Sequence, residues 1–257
     1  MRSRRFWIGL AVSVLFLFLF LYRVDLGEMA GALKEANYTF VLPALALYGA
    51  SMLFRSLRWR FLLRPLKSLG VGRLFPVVVI GYMANNLLPV RLGELVRAYY
   101  LSERERVSAS ATLATIVLER VYDGLTLLFF IAVASLFLPL SGLLKGVEDA
   151  LGLPGALVAV LLTVPFLGAI VFLTLLASFP QRVGVTAGWV LRLLPLRLRP
   201  RVAELIERFL QGLSVLRSPR LLLELFLLSL PVWILEASVA YLLAFAFDLP
   251  AALGSLA

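Results

Sequence analysis

Neither cysteine nor histidine occurs among the 257 residues. Without cysteine there is no disulfide, no thiolate nucleophile and no cysteine-ligated metal. Without histidine the commonest general base and zinc ligand is missing. Charge is scarce too: 16% of residues are Asp, Glu, Lys or Arg, against about a quarter in a soluble domain. No Gly-rich phosphate loop ending in Gly-Lys-Ser/Thr is present, nor a Gly-x-Gly-x-x-Gly fingerprint. No soluble stretch is long enough for an ATPase or sugar-nucleotide domain, and no repeat of solenoid period is visible. Nucleotide-driven chemistry within this chain is thereby excluded, and no cofactor is expected.

What the sequence has is grease. Hydrophobic residues make up 61%, including 18 Phe, more than one water-facing globule can bury. Phe6–Tyr22, Tyr38–Phe54 and Leu74–Val90 are uncharged runs of 17 residues each, and Gly124–Leu144 and Ala150–Gln181 are longer. A spanning helix takes roughly 17–25 mostly apolar residues, so these are spans or membrane-embedded segments. Leu221–Phe247 reads as one further span, interrupted by the acid Glu236. The first run follows Arg2, Arg4 and Arg5. It exceeds the roughly 7–15 residues of a signal-peptide core and has no nearby small-residue cleavage site, so it reads as an uncleaved anchor.

The net charge of +10 is a matter of topology rather than of nucleic-acid binding. Basic residues collect at the start, between Arg55 and Arg73, and between Arg182 and Arg220, where eight Arg face only Glu204 and Glu207. Arg23–Asn37 and Lys145–Asp149 are slightly acidic. The positive-inside rule puts the basic segments and the N-terminus in the cytoplasm. Arg55, Arg58 and Arg60 then read as anchors whose side chains reach the headgroups. Glu103–Arg106 reads as a solvated turn. Pro200–Arg217 carries Val202, Leu205, Ile206, Phe209, Leu213 and Leu216 at helical spacing. That pattern is an amphipathic helix, lying on the cytoplasmic interface or packed on other cytoplasmic segments.

This topology obliges Leu74–Val107 to leave and return on one side. Its second half holds Arg91, Glu94, Arg97, Glu103, Arg104, Glu105 and Arg106, too many charges for a full span. A re-entrant hairpin over about 74–101 follows, turning near Asn85-Asn86-Leu87-Leu88-Pro89. Non-helical backbone at membrane depth persists only beside protein or a watered cavity. The next span begins near Ser108 and contains Glu119, Arg120 and Asp123. Glu119 is about 16 Å along it, near mid-membrane, and shares a face with Asp123. Gly124 allows a close helix contact. Arg91, Glu94 and Arg97 line one face of the returning arm. With Glu119, Arg120, Asp123 and Glu236 they make three cations against four anions, a near-balanced polar network. Two readings stay open: a salt-bridged cluster that fixes helix register, or a pathway for a polar ligand. For Arg91, Glu94 and Arg97 a solvated interfacial face is a further alternative, and Glu236 is the weakest candidate.

The run Asn85-Asn86-Leu87-Leu88-Pro89-Val90-Arg91-Leu92-Gly93-Glu94-Leu95-Val96-Arg97-Ala98, followed by Leu118-Glu119-Arg120-Val121-Tyr122-Asp123, resembles the flippase-like transmembrane domain of lysylphosphatidylglycerol synthases. Arg55-Ser56-Leu57-Arg58-Trp59 is similar to another recurrent feature of that family. The resemblance covers essentially the whole chain. It implies an all-α integral membrane protein with about five to six spans, a re-entrant hairpin and cytoplasmic interfacial helices over about 182–218, as one domain over residues 1–257. It also implies binding of a lipid headgroup and its movement between leaflets of a bacterial or archaeal plasma membrane. The matching positions are Arg91, Glu94, Arg97, Glu119, Arg120 and Asp123, with Asn85 and Asn86 at the turn. The partners implied are anionic or polyprenyl-phosphate lipids, and a separately encoded synthase is a further candidate. An integral-membrane transferase or an accessory subunit for lipid or lipid-linked glycan synthesis is the alternative. Family members usually continue through further spans with a Pro-Gly-Gly-x-Gly-like segment, so such spans are expected beyond Ala257. The soluble transferase domains of some relatives have no counterpart here.

Overall fold

The computed structural model describes residues 25–87, 92–137, 148, 152–180, 183–184, 188, 191, 195–196 and 198–247. The regular structure of these residues is helical, with no strand among them. The order is α1 (Leu26–Glu35), α2 (Tyr38–Leu63), α3 (Val71–Leu87), α4 (Gly93–Glu105), α5 (Ala109–Ala134), α6 (Gly155–Ser178), α7 (Arg199–Gly212), a 3-10 turn (Leu213–Arg217) and α8 (Pro219–Ala246). Local chemistry sets the starts. Asp25, Asn37, Ser108 and Ser218 each accept a hydrogen bond from a backbone N–H of the first turn that follows. Pro219 then occupies the first helical position of α8, where its missing N–H is no loss. Arg106 ends α4 in the left-handed conformation, φ 55°.

Among the described residues three helices, α2, α6 and α8, are long and apolar enough to cross a membrane. With 26 residues α5 matches α2 in length but carries three charged residues mid-helix. The anchor over Phe6–Tyr22, the outer loop Lys145–Asp149 except Glu148, and the end of the chain lie outside the described residues. The chain is an all-α membrane protein, as expected.

The longest packing surface joins α2 and α8, which run antiparallel along their whole length. At one end the Asn37 N–H donates to the Ala246 carbonyl at 2.7 Å and the Phe40 and Phe245 rings pack 5.9 Å apart. At mid-length Ser51 meets Glu236, and further along Arg58 meets Ser229.

Helices α3 and α4 pack against each other as an antiparallel pair over the stretch expected to be re-entrant, and residues 88–91 of the expected turn lie outside the described residues. Gly81 and Gly93 bring the two backbones together: a Cβ on Gly93 would lie 2.0 Å from the Gly81 carbonyl oxygen and 2.5 Å from Asn85 Oδ1. At the base, Lys67 and Arg73 before and within α3 both reach Glu105 at the end of α4, at 3.2 and 3.7 Å. The Lys67 ammonium also donates to the Glu105 carbonyl, at 2.7 Å. Both open ends of the hairpin therefore lie on one face of the molecule. This corrects the reading of Glu103–Arg106 as a solvated turn, because Glu105 is buried and paired. At about 1.5 Å per residue, the 13 residues of α4 extend about 20 Å, short of a hydrocarbon core of about 30 Å.

The amphipathic segment also differs from expectation. Its α-helix stops at Gly212, and Leu213–Arg217 tightens into a 3-10 turn. The reason is steric: a Cβ on Gly212 would come 2.3 Å from the Ala111 carbonyl, so α7 is held flush on the start of α5. Ser110 Oγ donates to the Leu205 carbonyl beside it, and Arg217 Nε donates to the Ala177 carbonyl at the end of α6. Leu213 and Leu216 are buried by this turn, while Leu205 stays exposed. Gly124 does allow the close contact expected of it, with the Phe166 ring of α6 seated where a Cβ would be.

Replacing Gly93 or Gly212 by Ala forces backbone apart rather than a flexible side chain, a change worth about 1–3 kcal/mol. Each variant should unfold several degrees below the parent in detergent, measured by differential scanning fluorimetry. Gly70→Ala, where nothing lies within 4 Å of the added atom, should not shift the transition downward.

Candidate functional site

The polar centre is built on a fully buried arginine that the sequence analysis took for a surface anchor. Helix α2 does not end at the first basic residue but runs on to Leu63, so Arg58 lies inside the helix and inside the bundle. Its guanidinium is 0% exposed. Arg58 Nη1 donates to Asp123 Oδ1 at 2.7 Å and to Ser229 Oγ at 2.9 Å; Nη2 donates to Glu119 Oε1 at 3.1 Å. A guanidinium in an apolar interior is tolerable only when its donors meet fixed acceptors. Two carboxylates one helical turn apart on α5 supply them, and Ser229 adds a neutral acceptor from α8.

Around this core stand the residues picked from the sequence. Arg97 of α4 lies 2.8 Å from Glu119 Oε2 and 3.7 Å above the Trp59 ring centroid. Trp59 in turn donates its indole N–H to Thr115. Arg120 leaves its own helix face to lie 3.1 Å from Asp123 Oδ2, 3.5 Å from Glu119 Oε1 and 3.7 Å from Glu94. Several of these charge contacts are not aligned as hydrogen bonds. Arg97 Nε and Nη2, Arg120 Nε, Glu119 Oε2 and Asp123 Oδ2 are buried with no hydrogen-bond partner.

A second arm continues the network on the other side of Arg120. Tyr82 of α3 accepts from Arg120 Nη2 at 3.2 Å and from Arg55 Nη1 at 2.5 Å. Arg55 also donates to Glu236 Oε1 at 3.0 Å, an oxygen that accepts from Ser51 at 2.7 Å as well. The Arg55 guanidinium stacks on Tyr82, 4.8 Å from its centroid. Thus α2, α3, α4, α5 and α8 all contribute to one connected set. It holds four cations (Arg55, Arg58, Arg97 and Arg120) and four anions (Glu94, Glu119, Asp123 and Glu236).

Exposure is graded across this set. Arg58 and Glu119 are sealed, Arg97 and Asp123 nearly so, but the side chains of Arg120, Glu94 and Glu236 are 33%, 32% and 27% exposed. The arrangement has a buried floor and a partly exposed edge, its mouth, at Glu94 of α4, Arg120 of α5 and Glu236 of α8.

Of the residues picked from the sequence, Glu94, Arg97, Glu119, Arg120, Asp123 and Glu236 are brought together. Arg91 lies outside the described residues. Asn85 and Asn86 do not join the charged set: Asn85 faces Gly93 within the hairpin and Asn86 is exposed. Arg55, Arg58 and Tyr82 were missed as members. Arg55 and Arg58, expected as snorkelling anchors, are buried in the set instead, whereas Arg60 is exposed. A signal was available in the charge count, since four intramembrane acids against three cations left one acid without a partner.

Removing one member of a buried pair costs on the order of 3–5 kcal/mol, because the remaining charge is stranded. Arg58→Met should therefore lower the thermal unfolding midpoint in detergent strongly or abolish monodisperse extraction. Arg60→Met, two residues along but exposed, should stay within about 0.5 kcal/mol of the parent.

Comparison with known proteins identifies relatives and a family. The chain is 30% identical over 236 residues to a UPF0104 membrane protein of Methanothermobacter thermautotrophicus, covering 86% of this chain and 67% of that protein. It is 32% identical over 124 residues to a UPF0104 membrane protein of Methanocaldococcus jannaschii, covering 47% of this chain and 37% of that one. It is also 32% identical over 120 residues to the glycosyltransferase AglD of Haloferax volcanii, covering 46% of this chain and 19% of AglD. The chain thus spans about two thirds of the first of these relatives and less of the other two. No solved structure matches it significantly. The family model for the lysylphosphatidylglycerol synthase TM region matches residues 6–257, so the chain belongs to the lysylphosphatidylglycerol synthase transmembrane-region family.

Proposed function

We propose that the protein moves a phospholipid or a polyprenyl-phosphate-linked lipid between membrane leaflets, with the headgroup held against the charged set while the acyl or prenyl chains stay in the bilayer. The observation that carries this reading is the graded exposure. A cluster that served only to fix helix register would be closed and fully bonded. This one keeps three charged groups partly open and several buried polar atoms in ion pairs without an aligned hydrogen bond. Ionisable side chains at membrane depth mark a binding site or pathway by default. The hairpin α3–α4, entering and leaving on one face, would be the re-entrant element that places Glu94 and Arg97 at that depth.

A second reading has one observation in its favour, the similarity to a glycosyltransferase over 46% of this chain. In that reading the membrane bundle presents a lipid-linked acceptor to an enzyme of glycan or lipid synthesis. The two differ in whether the isolated chain translocates lipid.

Leaflet-exposure assays on proteoliposomes with a fluorescent phospholipid separate them. Glu94→Gln and Arg120→Lys, the second keeping a positive charge beside Glu119 and Asp123, alter the exposed edge, and each should slow translocation at least tenfold while the protein still reconstitutes. Wild-type rates in both variants, or no rate above empty liposomes for the parent, would reject the transport reading.

The basic last turns of α2 and α4 lie toward the hairpin's open face, which the positive-inside rule assigns to the cytoplasm. Because the chain has no cysteine, single substitutions report orientation cleanly. In sealed spheroplasts an impermeant maleimide should label Lys34→Cys and leave Arg106→Cys unlabelled until lysis. The reverse pattern would invert the topology.

A further inference from the structure

We infer that Arg55, Tyr82 and Arg120 form a binding station for a phosphate group, adjoining the Arg58–Glu119–Asp123 lock through Arg120 and resting on the lipid-headgroup reading above. The starting point is the Tyr82 hydroxyl. Its oxygen accepts from two guanidinium groups, Arg55 at 2.5 Å and Arg120 at 3.2 Å. A phenol has two acceptor lone pairs and one donor, so both lone pairs are occupied and the O–H proton is what it has left to offer. An O–H held between two cations points to an anionic acceptor.

The flanking arginines are only partly used. Arg55 is 5% exposed, yet its Nε has no partner, one Nη meets a neutral phenol and only the other meets a carboxylate. Arg120 Nε likewise lacks a hydrogen bond, with Glu94 at 3.7 Å, while its Nη2 lies 3.1 Å from Asp123 and 3.5 Å from Glu119. Arg58 Nε lacks a partner too, but both Nη atoms of Arg58 are committed to carboxylates and it has no exposed surface for a ligand to reach. The station therefore combines two guanidiniums with unspent N–H groups, a hydroxyl donor and an opening past Arg120, which is 33% exposed. Two forked guanidiniums around one hydroxyl suit the tetrahedral oxygens of a phosphate mono- or diester.

The neighbouring acids determine how tightly it binds. Glu236 and Glu94 each hold one arginine and compete with an incoming anion. This gives a prediction of unusual sign. Tyr82→Phe removes one oxygen and keeps the ring under Arg55, and should weaken phosphate binding. Glu236→Gln frees Arg55 and removes a repelling charge, and should strengthen it. A purely structural role for these residues would weaken binding in both.

The test is equilibrium binding of tritiated short-chain phosphatidylglycerol to the purified chain in neutral detergent, with diacylglycerol of the same chain length as the phosphate-free control. Inorganic phosphate as competitor distinguishes recognition of the phosphate alone from recognition of the whole lipid. The inference requires at least tenfold tighter binding of the phospholipid than of the diacylglycerol. It also requires at least a tenfold loss in Tyr82→Phe and a gain of a few fold in Glu236→Gln. Competition by inorganic phosphate, or its failure to compete, assigns the source and supports the station in either case, given those three results. Unchanged affinity in Tyr82→Phe, or equal binding of the diacylglycerol, would overturn it. Should Tyr82→Phe unfold, Arg120→Lys, which keeps the charge and loses the fork, carries the same requirement. If binding behaves as required but proteoliposomes show no translocation, the station stands and the transport reading falls.

Discussion

A guanidinium sealed from solvent between two carboxylates governs this molecule. Arg58 has no exposed surface, so its charge must be compensated by the protein itself or the bundle does not close. Glu119 and Asp123 do this from one face of α5, and Ser229 completes it from α8. The same requirement fixes the relative register of α2, α5 and α8, because a shift of one helical turn along any of them would leave a charge stranded. The hairpin is then located by Arg97, which meets Glu119 and rests on Trp59. The register-fixing and ligand-binding readings of the polar cluster are therefore not rivals. Its floor answers to the first and its mouth supports the second.

The glycines have a complementary part. Polar groups can converge only where backbones approach closely, and three contacts provide that approach: Gly81 with Gly93 in the hairpin, Gly124 under Phe166, and Gly212 on Ala111. The first sets how deep Glu94 and Arg97 stand opposite α5. The last seats the amphipathic helix α7 against the start of α5, so that the basic face and the charged interior are parts of one rigid arrangement.

Much of this was legible before any coordinates. Charge scarcity and long apolar runs identified a helical membrane protein. The demand that Leu74–Val107 return to its own side produced the hairpin, and Glu119 and Asp123 at a four-residue spacing announced a shared face. The misses share a physical cause. Arg55 and Arg58 follow an apolar run and precede more basic residues, so a rule based on the end of hydrophobicity placed them at the surface. Helix α2 instead continues to Leu63, and partners lie 61 and 65 residues away from Arg58 in the chain. Tyr82 was invisible for a related reason, since an aromatic residue in an apolar run has no local mark of a polar partner. Glu105 was misread because the cations that bury it come from before and within α3. Local pattern identifies elements, while pairing across the bundle decides which charges are inside.

The most direct test of this account is a thermodynamic cycle on the lock itself, with Arg58→Met, Asp123→Leu and both changes together, unfolded reversibly in mixed micelles. If the two residues form one compensated unit, the double variant recovers much of the stability lost by Arg58→Met alone, since Glu119 still pairs with Arg97 and Arg120 still pairs with Glu119 and Glu94. Losses that simply add would show that Arg58 does not depend on Asp123, and the account would be contradicted at its base.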